Sequence, residues 1–221
     1  MDKPQLYGTP LSHFTRKLRI LLHELGVPFD FVRTPSLLEA STPSYGANPL
    51  MRIPTFVHDG TTVIESDHIA RYIVERYDPV DRFAVRTPSV AAMNRLAVLN
   101  GIMGHEVTLI LARRGGLEDL DSVAYFRKLF QSIASGLAWL DRELDPEADG
   151  FDYVDIATIC LWDHLAHYKL MPALDEYRRI AARAARFAGR DSVARTAPAA
   201  SLAAAAADVA ATTSASTPVA R

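Results

Sequence analysis

The chain has one cysteine, Cys160, in 221 residues. That excludes an internal disulfide framework and any paired-cysteine metal or redox motif. A basic stripe is also missing: 24 Lys and Arg against 26 Asp and Glu leave a formal charge of −2, so the footprint of a nucleic-acid or polybasic membrane surface is absent. Apolar runs are short, none approaching the ~20 residues of a membrane span. The opening MDKPQLYGTP holds an acid and a proline where a secretory signal would need an apolar stretch. These deficits predict a cytoplasmic protein that works on small molecules or other proteins, with no nucleic acid, membrane or metal as partner. The remainder is the composition of a globular chain of one or two domains, 49% apolar and 23% charged.

The patterning changes once along the chain. Up to about Asp78, periodicity and turn residues predict a strand over 4–8, a helix over 12–26, a strand over 29–33, a Ser/Pro-rich irregular helical region, a hairpin, and a helix from Ser66. That order is β-α-β-α-β-β-α. From about Pro88 only helical periodicity is present, over 88–115, 118–145, 152–170 and 172–188, with a short last turn before Pro198. DPVDRFAVRTP, with two prolines and mixed charge, reads as a linker. The division is therefore 1–78, a linker over 79–87, and a helical unit over 88–198. The Ala-rich stretch 199–221 has no apolar face and is expected to be disordered. A first unit this small must lean on the second, and the cleft between them would take a second substrate.

Two short runs carry most of the chemical information: RIPTFVHDG, a strand opened by Pro54 and closed by an Asp59-Gly60 turn, and IESD, its partner running into a helix. The helix start offers unpaired N–H groups to an anion while Glu65 offers a carboxylate to an ammonium, so one amino-acid head group could be held there. Ser12, after a Thr9-Pro10 loop, leads the first helix. Its hydroxyl can cap that helix or donate to a thiolate, drawing a thiol of pKa near ~8.5 toward neutrality. Arg16, Lys17 and Arg19 crowd the first turns against the helix dipole. A nearby anion would offset this; for Lys17 and Arg19 a solvated face is the preferred reading, and for Arg16 the two readings balance.

LYGTPLSHFTRKLRILLHELGVPFDFV, NPLMRIPTFVHDG, IESDHIARYI, FDYVDIATICLWDHL and RDSVARTAP, together spanning residues 5 to about 198, resemble the cytosolic glutathione transferases in their serine-type bacterial, theta-like and tau-like branches. The resemblance implies an α/β plus all-α fold: a thioredoxin-like N-terminal domain and a helical-bundle C-terminal domain, usually in a homodimer. It implies glutathione as co-substrate, a small electrophile as partner, and a role in detoxification. Carried over by position, Ser12 matches the catalytic hydroxyl. Ile53 matches the residue whose backbone pairs with the cysteinyl part of glutathione, Pro54 the cis-proline after it, and Glu65 and Ser66 the pair holding the γ-glutamyl end. Arg52 stands where relatives often place a lysine near the glycyl carboxylate.

Departures from the family pattern are His13, where many relatives have proline, and Met51, where glycine or a polar residue is frequent. Tyr7 competes with Ser12, because other transferase classes take their thiolate donor from this strand end; a strand aromatic in the core is the preferred reading. Thr15 is a weaker substitute. Asp152 and Asp155 resemble the family's helix-start box. Cys160 reads as inert packing, and His105, His164 and His167 as surface or satisfied core residues rather than pocket lining. The implied reaction is conjugation of the glutathione thiolate to an electrophile. The alternatives are a glutathione-dependent disulfide or dehydroascorbate reductase, which commonly has cysteine in place of Ser12, and a non-catalytic binding protein of the same fold.

Overall fold

The computed structural model describes residues 3–38 and 40–215, with side chains through Ala207. Four strands, β1 (Gln5–Gly8), β2 (Asp30–Arg33), β3 (Thr55–His58) and β4 (Thr61–Ile64), form one sheet in the order β2-β1-β3-β4. β1 and β2 are parallel, which requires a crossover, and α1 (His13–Glu24) supplies it. β3 runs antiparallel to both β1 and β4. Asp59 and Gly60 both have positive φ, 47° and 73°, the conformation that lets a two-residue turn follow the strand twist. α2 (Ser66–Tyr77) follows β4 directly. Between β2 and β3 the irregular helical region is a 3-10 turn at Thr42–Tyr45.

The register sets up the site. Tyr7 pairs with Thr55 and Thr55 with Ile64, in one row across three strands. The next residues outward, Gly8, Pro54 and Glu65, therefore reach the same edge of the sheet. Leu6 and Phe56 on the sheet, Leu18, Leu21 and Leu22 on α1, and Ile69 and Ile73 on α2 are fully buried; the three on α1 belong to the apolar stripe Phe14, Leu18, Leu21, Leu22 and Leu25 that the sequence spaces at helical intervals. α1 comes so close to β1 that a Cβ at Gly8 would stand 2.4 Å from Thr15 Cγ2, so only glycine fits there.

The remaining helices are α3 (Val90–Arg114), α4 (Ala124–Glu143), α5 (Tyr153–Tyr168), α6 (Arg178–Arg186), α7 (Asp191–Thr196) and α8 (Pro198–Ala215). α5 is buried on nearly every side and packs against α1, α3 and α6, which ties the helical unit to the sheet unit. Its start is the expected box: Asp155 N donates to Asp152 Oδ1 at 3.0 Å, and Asp152 N donates back to Asp155 Oδ2 at 3.0 Å. Asp155 is also gripped by Arg183, through Nε at 2.6 Å and Nη2 at 2.8 Å.

Three sequence expectations need correction. The helix expected over 172–188 is broken: a 3-10 turn at Leu174–Glu176 precedes α6, because Ala173 after Pro172 takes φ 57°. The stretch after 198 is not disordered through Ala215 but forms α8; residues 216–221 lie outside the described residues. Pro198 opens α8 where its missing N–H costs nothing, alanine propensity extends it, and buried Ser201 anchors it by donating to Thr196 O at 3.0 Å. The polar anchor, rather than an apolar face, is what periodicity misses. Finally, α3 is by length and composition apolar enough to cross a membrane. Here it packs against α4 and α5.

Candidate functional site

Ser12 closes the loop between β1 and α1. Its Oγ accepts from Thr15 N at 3.2 Å, its carbonyl accepts from Arg16 N at 2.8 Å, and its own N–H donates to Thr9 O at 3.2 Å. The cap uses a lone pair of Oγ and leaves its proton free for an anion. The Ile53-Pro54 peptide is cis. Its loop is braced by buried Asn48, whose Nδ2 donates to Arg52 O at 2.9 Å and Thr55 Oγ1 at 3.2 Å and whose Oδ1 accepts from Leu50 N at 2.9 Å. Ile53 is half-buried, Pro54 buried, and Arg52 exposed beside Met51.

Glu65 is the N-cap of α2 with φ 68° and ψ 123°, an uncommon conformation for a residue with a side chain, and that side chain makes no capping bond. An exposed carboxylate thus stands at the edge, with buried Ser66 on the first turn behind it. The register brings Gly8, Pro54 and Glu65 to one sheet edge, about 10 Å across at the usual strand spacing, with Ser66 next along the chain from Glu65 and Ser12 four residues beyond Gly8.

Tyr7 and Thr15 are positioned differently. Side chains alternate along a strand, and β1 turns Leu6 and Gly8 toward α1. Tyr7 lies on the opposite face, half-buried, with its hydroxyl 3.3 Å from Gln5 Oε1 and its ring against Gly46. Thr15 is fully buried under Gly8. Thr15 meets the Ser12 hydroxyl through its backbone N–H, while its own hydroxyl lies under Gly8. Cys160 is buried, and burial pushes its thiol up to about 12, so it is inert.

The basic residues of α1 are not a solvated face. Arg16 is buried, with Nη1 2.7 Å from Asp163 Oδ2, Nη2 3.2 Å from Val193 O and Nε 3.2 Å from Thr196 Oγ1. Arg19 is half-buried, bonded to Ser201 Oγ at 3.0 Å and lying over the Phe31 ring; burial, with Arg16 nearby, lowers its pKa to about 10. Lys17 is wholly buried and donates to Asp67 Oδ1 at 2.7 Å and Asn100 Oδ1 at 2.8 Å. Asn100 Nδ2 and Tyr153 Oη also donate to Asp67, at 2.6 and 3.1 Å. The acids that neutralise Arg16 and Lys17 come from α5 and α2, and no period within α1 could reveal them.

Sequence reasoning also missed a buried trio. His13 on α1, Glu106 on α3 and His164 on α5 meet where the three helices pack, with His164 Nδ1 2.8 Å from Glu106 Oε1 and His13 Nε2 3.4 Å from Oε2. Burial, with His164 close by, lowers the pKa of His13 to about 4 despite Glu106. Burial pushes the Glu106 carboxyl up, yet bonds and charge from the two histidines outweigh it and the net direction is down. A glutamate inside an apolar helix was the available signal. His105 is half-buried and His167 exposed, outside this trio.

Residues 6–81 match the family model described as glutathione S-transferase, N-terminal domain. Glutathione S-transferase U10 of Arabidopsis thaliana is 30% identical over 139 residues, 62% of this chain and 59% of its own length; U6 of the same plant is 33% identical over 86 residues, 36% of each. The chain thus aligns with three-fifths or less of these relatives. Among solved structures, a glutathione S-transferase of Methylobacillus flagellatus with glutathione bound superposes with TM-score 0.75 at 25% identity, covering 89% of this chain and 100% of that one. One from Methylobacterium radiotolerans, in complex with glutathione sulfonate, shares the fold at TM-score 0.76 and 23% identity, covering 89% and 95%.

Proposed function

We propose that the chain belongs to the glutathione S-transferase family, whose N-terminal domain model matches residues 6–81, and that it is an enzyme conjugating the glutathione thiolate to a small electrophile. The observation that carries this reading is the row Gly8, Pro54 and Glu65. Three adjacent strand ends about 10 Å across match an extended tripeptide, at most ~10 Å for three residues. On this reading Glu65 takes the ammonium of the γ-glutamyl end and Ser66 with the α2 N-terminus takes its carboxylate. The Ile53 backbone pairs with the cysteinyl unit, Arg52 reaches the glycyl carboxylate, and the Ser12 hydroxyl donates to the thiolate. Catalysis is then positioning and anion stabilisation.

The same reading puts the division between units at about Asp78 and the electrophile in the cleft between them. Exposed Leu50, Met51, Val90 and Met93 support a self-associating surface and hence a homodimer. The single free thiol, buried on α5, fits a cytoplasmic, detoxifying enzyme. A disulfide reductase reading is weaker, because Ser12 stands where a redox cysteine would be needed. Calorimetry with glutathione, followed by a conjugation assay over a panel of aryl halides, epoxides and enones, tests the proposal. Saturable binding and turnover of at least one electrophile are expected; a chain that binds no glutathione overturns it.

A further inference from the structure

His13 is the residue after Ser12, yet its side chain runs inward to two groups of the helical unit. We propose that Glu106 is a positioning residue for the Ser12 turn and acts through His13. The catalytic part of this proposal rests on the transferase reading; the structural part does not.

The argument begins with a tautomer. Phe14 N donates to His13 Nδ1 at 2.9 Å, so Nδ1 carries a lone pair and the ring proton of neutral His13 sits on Nε2. Nε2 is the nitrogen that faces Glu106 Oε2 at 3.4 Å. The other carboxylate oxygen faces His164 Nδ1 at 2.8 Å. Glu106 is 0% exposed and His13 1%, so water does not compete for these groups. The negative charge facing Nε2 thereby favours the proton on that nitrogen and leaves Nδ1 to accept. A His13 with its proton on Nδ1 would set donor against donor at Phe14 N.

The consequence reaches Ser12 because one helical turn carries all the bonds. Phe14 N uses His13 Nδ1, Thr15 N uses Ser12 Oγ, and Arg16 N uses Ser12 O. Pushing Phe14 N out of place loosens the turn that orients the Ser12 hydroxyl. Displacement of a reacting group by ~1 Å can cost as much as 10²-fold in rate.

The trio also has the outline of a cation cradle, since one ligand-type atom from each residue lies within 4.8 Å of the others. His13 Nε2, His164 Nδ1 and both Glu106 oxygens, moreover, lack a well-aligned hydrogen bond. Two observations favour the carboxylate–imidazole chain instead. A histidine that ligates through Nε2 keeps its proton on Nδ1, where Phe14 N–H already points. The rings of His13 and His164 also sit only 4.0 Å apart between centroids, tilted by 38°, too close for two imidazoles that approach one ion from separate directions.

Glu106→Gln keeps the shape and removes the charge that selects the tautomer. Without glutathione, amide hydrogen exchange at Phe14 and Thr15 should rise about tenfold. With glutathione, the thiolate absorbance of the complex should titrate at higher pH and kcat should fall about tenfold, with a smaller change in KM. The decisive variant is Glu106→Gln combined with His13→Asn, because the Asn Oδ1 can accept from Phe14 N whatever stands at 106. Exchange, titration and kcat should return toward wild type, which a general loss of packing around Glu106 would not allow. Unchanged exchange in Glu106→Gln, or a double variant no better than the single one, overturns the proposal. So does one equivalent of a transition metal in the purified protein that is lost with Glu106→Gln. A wild-type chain that binds no glutathione defeats the transferase reading alone, and the exchange measurement still decides this one.

Discussion

Lys17 Nζ stands 2.7 Å from Asp67 Oδ1, its side chain wholly enclosed while that of Asp67 is 43% exposed. The pair joins the first turns of α1 and α2, and with Asn100 and Tyr153 it locks the start of α2 to the helical unit. Burial raises the Asp67 pKa, but Lys17 and the bonds it receives outweigh this and hold it below the usual range.

Unequal exposure predicts unequal cost. Asp67→Asn leaves a buried ammonium without its anion and should cost ~3–5 kcal/mol. Lys17→Met leaves a carboxylate that still reaches water and two other donors, and should cost less. Denaturant unfolding of both variants checks the order, and equal losses would contradict it.

Acid should weaken the protein through the buried trio. An unfolded His13 takes a proton near pH 6.5, whereas the folded one stays neutral to about pH 4, so its contribution is complete above pH 6.5 and lost as pH falls toward 4. The shift corresponds to roughly 3 kcal/mol at most. Glu106, also depressed, acts in the same direction below the ordinary carboxylate pKa. Unfolding at pH 7 and pH 5 should show the loss, and His13→Asn should flatten the part above pH 5.

Most of the fold was legible in the sequence because it is local. The alternation of β1, the Asp59-Gly60 turn, the apolar stripe of α1 and the Asp152/Asp155 box each sit within a few residues of one another. Ser12, Glu65 and Ser66 stood out as helix-start residues, whereas Ile53 and the cis form of Pro54 came only through the family resemblance; the strand register brings Pro54 level with Glu65. What was not legible depends on partners far along the chain. Lys17 looked solvated because Asp67 is 50 residues away, Arg19 because Ser201 is 182 away, and His13 looked like a loop substitution because Glu106 and His164 belong to other helices. α8 was missed because polar ties from buried Ser201 and from Arg33 on β2, not an apolar stripe, mark its attachment.

Truncation separates the anchored part of α8 from the rest. Ending the chain after Ala197 removes Ser201 and leaves the half-buried Arg19 without that partner, at a cost of ~1–3 kcal/mol and a lower Tm. Ending it after Ala207 should leave Tm unchanged. Equal midpoints for both truncations would remove the anchoring role of Ser201.

The γ-glutamyl end can be tested alone. Glu65→Ala or Ser66→Ala should each weaken glutathione binding by ~1.5–3 kcal/mol, the range for a hydrogen bond to a charged group, with little change in stability because Glu65 caps nothing. Calorimetry showing wild-type affinity in both variants would remove these residues from the site.

The account stands most directly on the thiolate titration of bound glutathione, followed by ultraviolet absorbance in the wild type, Ser12→Ala and Tyr7→Phe. Removing a preorganised donor to a reacting anion costs ~10²–10³ in rate, with the lower end expected for a soft thiolate acceptor. Ser12→Ala should therefore raise the pH at which the thiol ionises and cut turnover toward a hundredfold. Tyr7→Phe, altered on the far face of β1 from α1, should change neither. A titration that moves in Tyr7→Phe and stays fixed in Ser12→Ala would contradict the account and transfer the thiolate to the strand tyrosine.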